Sequence, residues 1–140
     1  MRKALSFLLH VTIYFAIVVG LLWGLPRFLS WYLNTPYPIA AITSGSMWPE
    51  LKTGDLVFIQ GINKQSLAVG DIVVWQNPQG FTIHRIVKLN DDTLVTKGDA
   101  NFTEDSPVKY TDVIGRTYKV MGRNARIPYF GMIAVYANKK

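Results

Sequence analysis

Residues 4 to 26 read ALSFLLHVTIYFAIVVGLLWGLP, 23 consecutive positions without a full charge, preceded by Arg2-Lys3 and followed by Arg27. A bilayer core of ~30 Å is crossed by ~20 residues of helix, so this segment is long enough to span one. Its polar side chains are Ser6, His10, Thr12 and Tyr14, and the first two lie within two turns of the basic end, close enough to reach headgroups. A cleaved secretory signal begins in the same way, but its apolar core usually runs only ~7 to 15 residues and ends at a small-x-small site. Here the run is longer, and Arg27-Phe28-Leu29-Ser30-Trp31-Tyr32 follows, an aromatic and basic cluster that with Trp23 suits the membrane interface. Residues 1–33 are therefore expected to be a retained anchor, spanning at about 4–26, with an interfacial segment behind it. Arg2 and Lys3 favour a cytoplasmic N-terminus, which leaves the body outside the cytosol. The last apolar stretch, Tyr129 to Ala137, is too short for a second span.

A chain of 140 residues has room for one core beside such an attachment. The formal charge of +6 divides equally, with Arg2, Lys3 and Arg27 ahead of the first acid, Glu50, and a body in which twelve bases face nine acids. Interspersed signs at that density are not a nucleic-acid footprint, and attraction to anionic headgroups suffices to explain the excess. The absence of cysteine excludes disulfides and thiol chemistry.

At Asn34-Thr35-Pro36-Tyr37-Pro38 the long apolar run gives way to short β-type segments, and residues 34–140 are expected to form an extracytoplasmic, mostly antiparallel β-domain. Strands are expected at 39–42, 56–60, 72–76, 82–89, 93–97 and 114–121, with a last one near 132–136. Gly-Asp recurs at Gly54-Asp55, Gly70-Asp71 and Gly98-Asp99, the glycine supplying a turn and the aspartate capping it. The unequal spacings speak against an internal repeat.

The exposed-looking loop after the first strand reads Thr43-Ser44-Gly45-Ser46-Met47-Trp48-Pro49. A serine becomes a nucleophile only with a base in reach, and the body holds one histidine, His84. Strand alternation puts Thr82, His84, Ile86 and Lys88 on one face. Taken alone, a strand histidine is more often structural than basic, Asp99 reads as a turn cap and Asp105 as a solvated loop acid. No G-x-S-x-G elbow occurs, and neither Ser44 nor Ser46 has a lysine three residues later. Two histidines, one of them in the membrane segment, and no cysteine make no zinc site, and there is no phosphate-binding glycine loop.

In combination these stretches are more specific. Ser44-Gly45-Ser46-Met47-Trp48-Pro49, Gly54-Asp55, Gly70-Asp71-Ile72-Val73-Val74, Ile83-His84-Arg85-Ile86-Val87 and Thr96-Lys97-Gly98-Asp99-Ala100-Asn101, in this order behind an N-terminal anchor, resemble signal peptidase I over nearly the whole chain. One branch of that family has lysine where His84 stands. The branch of the endoplasmic reticulum, archaea and some spore-forming bacteria has histidine, and this sequence resembles the latter.

The resemblance implies a mainly β fold of the signal peptidase type behind a transmembrane helix. It also implies a membrane-bound serine endopeptidase that removes signal peptides from preproteins without a metal or other cofactor. Ser46 would be the nucleophile, with its own N–H and the Ser44 hydroxyl as oxyanion donors, and His84 the general base and then acid. Asp105 is expected to be the partner of His84, with Asp99 supporting the loop together with Lys97, and the two aspartates could exchange roles. Small residues are expected at the first and third positions before the cut. Partners would be preproteins, the lipid bilayer and further membrane subunits, with no nucleic acid. The location would be the cell membrane, or the endoplasmic reticulum membrane in a eukaryote, single-pass with the catalytic domain outside the cytosol.

Met47, Trp48 and the Tyr37-Pro38 region are candidates for an apolar rim on the lipid. Trp48 stands where many relatives of this branch have glutamate. Asn101-Phe102-Thr103 fits the glycosylation pattern, but lies where a glycan would obstruct substrate. Two other readings remain at this level: a tethered basic β-module without catalysis, and a Ser-Lys peptidase using Lys88 or Lys97 as a neutral amine.

Overall fold

The computed structural model describes residues 2–137; Met1 and residues 138–140, the outer ends of the two expected regions, lie outside the described residues. The N-terminal segment is helical throughout, as α1 (Arg2–Val19), a π-helical turn (Gly20–Gly24) and α2 (Leu25–Tyr32). Proline lacks an N–H, and its ring clashes with the carbonyl four residues back in a regular helix. The π turn just before Pro26, where the Leu25 N–H reaches back five residues to the Gly20 carbonyl, widens the helix where that clash would arise. The apolar helix therefore continues to Tyr32, six residues beyond the expected end of the span, and its 28 residues from Leu5 are long and apolar enough to cross a membrane. Two of the polar side chains inside it are satisfied locally. His10 Nδ1 donates to the Ser6 carbonyl at 2.6 Å and Thr12 Oγ1 to the Leu8 carbonyl at 3.0 Å, which lowers the cost of placing them in lipid. Near its end Phe28 stacks on Tyr32 and the Arg27 guanidinium lies over the Trp23 ring.

The helix does not hang free of the body. Leu33 and Thr35 are buried, the Gly61 N–H donates to the Leu33 carbonyl at 2.7 Å, and the Ile59 N–H to the Pro38 carbonyl at 2.9 Å. A Cβ on Gly61 would lie 1.8 Å from the Asn34 carbonyl oxygen, so only glycine admits this approach.

The body is a mainly antiparallel β structure. Its strands are β1 (Ile39–Ala41), β2 (Leu56–Gln60), β3 (Ile72–Asn77), β4 (Gly80–Leu89), β5 (Thr93–Lys97), β6 (Val108–Lys109), β7 (Val113–Thr117), β8 (Lys119–Val120), β9 (Arg123–Asn124) and β10 (Arg126–Ile127). The main sheet runs β1-β2-β7-β3-β4-β5-β6, with β10 also on β2, while β8 and β9 form a separate hairpin. Both faces are covered. Ile72 and Val74 join Ile42, Met47, Leu51, Val57 and Ile59 in one core, whereas Val73 joins Leu67, Ile86, Leu94 and Val108 in the other. That is why the central strand reads as a continuous apolar run rather than an alternation.

Three expectations are corrected. The stretch 132–136 is not a strand but the short helix α3 (Met132–Ala137), because Gly131 closes onto the Gly54 carbonyl and the following amides turn back onto Tyr129 and Gly131. A short apolar run carries no period that separates helix from strand. The strand expected at 114–121 is divided at Tyr118: its N–H still bonds the Phe58 carbonyl in the register of β7 on β2, but its carbonyl accepts from the Ala125 N–H across the β8–β9 hairpin that the chain enters there. Lys88 does not share the face of His84: a register shift between Ile86 and Lys88 turns it out to solvent and Leu89 towards the core. Gly54 and Gly70, at φ +90° and +96°, are turn glycines whose aspartates accept from Lys52 N–H and Ala68 N–H. Gly98-Asp99 is a different construction, described below.

Candidate active site

The loop after β1 is held by its apolar members. Met47 and Leu51 are almost fully buried, the Leu51 N–H donates to the Met47 carbonyl, and the Trp48 N–H to Gly45, which fixes Ser46 at the rim of the core. On the other side the Ser46 carbonyl accepts from the Ala100 N–H at 2.8 Å. This docking needs Gly98, where a Cβ would lie 2.8 Å from the Ser46 carbonyl oxygen and 2.7 Å from Asn101 Nδ2. The Lys97-Gly98-Asp99 stretch thus brings two loops into register on each other.

Residue 84 projects from β4 into this junction, buried to 8 % exposure. Its Nε2 lies 3.2 Å from Ser46 Oγ and its Nδ1 2.6 Å from Asp105 Oδ2, while Ser44 Oγ is 3.1 Å from Ser46 Oγ. The Ser46 N–H makes no hydrogen bond among the described residues. Asp105 is itself held, its N–H donating to the Thr96 carbonyl at 2.8 Å and its Oδ2 accepting from Thr96 Oγ1 at 2.6 Å.

The two aspartates, interchangeable in sequence, have different partners in space. Asp99 takes a two-pronged grip from the residue beside His84, Arg85 Nε to Oδ1 at 2.8 Å and Arg85 Nη2 to Oδ2 at 2.7 Å, with Arg85 Nη1 on the Gly70 carbonyl. The Asp99 hydrogen bonds hold the Arg85 guanidinium's proton above its usual range against the opposing effect of burial. The Lys97 side chain contributes no hydrogen bond or ion pair among the described residues. Sequence reasoning named it as support for the loop, and missed Arg85 and Thr96. The signal for Arg85 was its place next to the lone histidine, on the opposite face of the strand.

Beside Ser46 and His84 lies a groove of about 680 Å³. Its floor is apolar, formed by Ile42, Met47, Ile59, Val74, Ile83 and Ile114, and its walls are β1 and the first half of β4. At one end the rings of Tyr37 and Phe81 meet at 5.2 Å. Among the described residues β1 pairs only with β2, and β4 meets β5 only from Arg85 onward, so both walls present strand edges without a partner there to the groove. An extended peptide could bond along either one and place uncharged side chains on the floor. No group of three or more His, Asp or Glu side chains able to hold a metal ion occurs among the described residues.

No protein-family model matches the chain. Individual relatives do. The signal peptidase complex catalytic subunit SEC11 of Pyricularia oryzae is 33 % identical over 96 % of this chain and 81 % of its own length. The SEC11 subunit of Fusarium vanettenii is 31 % identical over 86 % of this chain and 76 % of its own. Human SEC11C is 31 % identical over 72 % of this chain and 57 % of its own length.

Proposed function

Because the chain belongs to the family of signal peptidase catalytic subunits, a membrane-associated serine endopeptidase that removes signal peptides from preproteins, we propose that Ser46, His84 and Asp105 carry out the cleavage. The single observation that supports this most is the unbroken line Asp105 Oδ2, His84 Nδ1, His84 Nε2, Ser46 Oγ. Asp105 holds the imidazole with its Nδ1 protonated, so that Nε2 is free to take the Ser46 proton as Oγ attacks the scissile carbonyl. The resulting oxyanion sits between the Ser46 N–H and the Ser44 hydroxyl. The C–N bond then breaks, His84 returns the proton to the leaving amine, and a water activated in the same way releases the signal peptide from Ser46.

The substrate segment lies extended in the groove against the unpaired edges of β1 and β4. Its small side chains before the cut face the apolar floor. Residues 1–33 anchor the enzyme with the N-terminus in the cytosol, and residues 34–140 work at the opposite membrane surface, that of the endoplasmic reticulum in a eukaryotic cell. Anchor and preprotein share one bilayer, which raises their effective concentration for each other. The relatives are named as subunits of a complex, and we infer that this chain too works beside other membrane subunits.

The test is cleavage of a signal-peptide-bearing preprotein by the full chain in liposomes. Ser46→Ala, His84→Ala and Asp105→Asn are expected to lose on the order of a thousandfold or more in rate while remaining folded. Near-wild-type turnover in His84→Ala would overturn the assignment.

A further inference from the structure

β5 carries Leu94-Val95-Thr96, three consecutive buried residues, and the third is fully inaccessible to solvent. A valine would fill that position as well by shape, and a buried hydroxyl costs stability unless it is bonded. Among the described residues the hydroxyl of Thr96 has one partner, Asp105 Oδ2 at 2.6 Å, the same oxygen that His84 Nδ1 meets at 2.6 Å. A carboxylate only accepts, so the hydroxyl must be the donor. The register explains the meeting: Thr96 lies opposite Ile86, which places it on the face of His84, two residues along β4. The same residue also receives the Asp105 N–H on its carbonyl, at 2.8 Å.

We propose that Thr96 is a positioning residue for the peptidase reaction, aiming the Asp105 carboxylate at His84 by gripping both its backbone and its Oδ2. The inference rests on the assignment of Asp105 as partner of His84. Asp105 stands in a loop with its side chain partly open to solvent, where a short carboxylate rotates at little cost. Thr96 stands in a strand, with a β-branched side chain of restricted χ1. The strand residue therefore orients the loop residue. With two donors on one oxygen, the carboxylate keeps Oδ2 turned inward, and the imidazole keeps Nε2 on Ser46.

The experiment measures kcat and KM for a signal-peptide-bearing preprotein with the full chain in liposomes, comparing Thr96→Val, Thr96→Ser, Asp105→Ala and the Thr96→Val/Asp105→Ala pair. Thr96→Val is expected to lower kcat about ten- to a hundredfold with KM within about twofold, the kinetic equivalent of one hydrogen bond to a charged group. Thr96→Ser, which keeps the hydroxyl but opens a methyl-sized gap, is expected to return kcat to within about threefold of wild type while unfolding at a lower temperature than Thr96→Val. In the Asp105→Ala background Thr96→Val is expected to add no more than about twofold. The inference is overturned by unchanged kcat in Thr96→Val, by Thr96→Ser performing as poorly as Thr96→Val, or by an undiminished loss in the Asp105→Ala background. Wild-type turnover in Asp105→Ala would remove the Ser-His-Asp assignment itself, whereas loss there beside full turnover in Thr96→Val would remove this inference alone.

Discussion

Asp99 and Asp105 are six residues apart in one loop, and what separates them is the direction each carboxylate faces. Asp99 is bound to Arg85 by a planar fork, an arrangement that lysine cannot reproduce. Arg85→Lys is therefore expected to destabilise the body by about 1 kcal/mol, visible as a drop of a few degrees in thermal midpoint, with a smaller rate loss than Asp105→Asn. Equal losses of turnover in the two variants would show that the loop does not distinguish its acids. Gly98 belongs to the same scale. An alanine there would press on the Ser46 carbonyl and on Asn101, and the loops could yield only by moving apart. Since ~1 Å of displacement at reacting groups costs about a hundredfold in rate, Gly98→Ala is expected to lose about that much with the fold retained, as read by turnover and circular dichroism together.

At the level of elements, the bulge in β4 decides which cations can reach the site. Lys88 would share the face of His84 in a regular strand, but the register shift sends it to solvent, and Lys88→Ala is expected to leave turnover within about twofold. Elsewhere in the sheet, Asp71, just before β3, binds Lys119 of β8 at 2.9 Å and Arg116 of β7 at 3.2 Å. Burial works against its charge, but the hydrogen bonds from Lys119 and the Ala68 N–H, the Lys119 charge and the Arg116 bond outweigh it and hold its carboxyl below the usual 3.8. A carboxyl lowered on folding adds stability that is complete above its unfolded pKa and disappears as pH falls through the folded value. Asp71→Asn should thus be less stable than wild type by a constant amount from neutral pH down to about pH 5, the gap then closing below pH 4. Denaturant titrations at stepped pH measure it, and a gap independent of pH down to 2 would contradict it.

Across the whole molecule, the N-terminal helix and the body meet through backbone, at Leu33, Asn34 and Gly61. Gly61→Ala has no accommodating move short of parting the two, and a loss of about 1–3 kcal/mol is expected, together with faster proteolysis in 33–38. Unchanged proteolysis would mean that the helix does not depend on this backbone contact for its place. For the membrane attachment proposed above, a firm junction matters because the groove opens beside Tyr37, three residues beyond Asn34, so the place where the helix ends would set where the groove stands relative to the membrane.

The sequence by itself determined what depends on local order: an N-terminal apolar helix long enough to cross a membrane, the first five strands, the turn glycines at 54 and 70, and the resemblance carried by Ser44 to Pro49 and by the stretch around Gly98. These follow from residue type and period, which need no distant partner. Tertiary structure decided the rest. Only the register of β4 on β5 shows that Lys88 leaves the face of His84 and that Thr96 joins it. Only the close approach at Gly98 brings the Asp105 loop to Ser46, and only their partners in space, Arg85 for Asp99 and His84 with Thr96 for Asp105, distinguish the two aspartates. The short apolar run at 132–136 became a helix because Gly131 docks on Gly54, 77 residues earlier, a contact that no local pattern encodes.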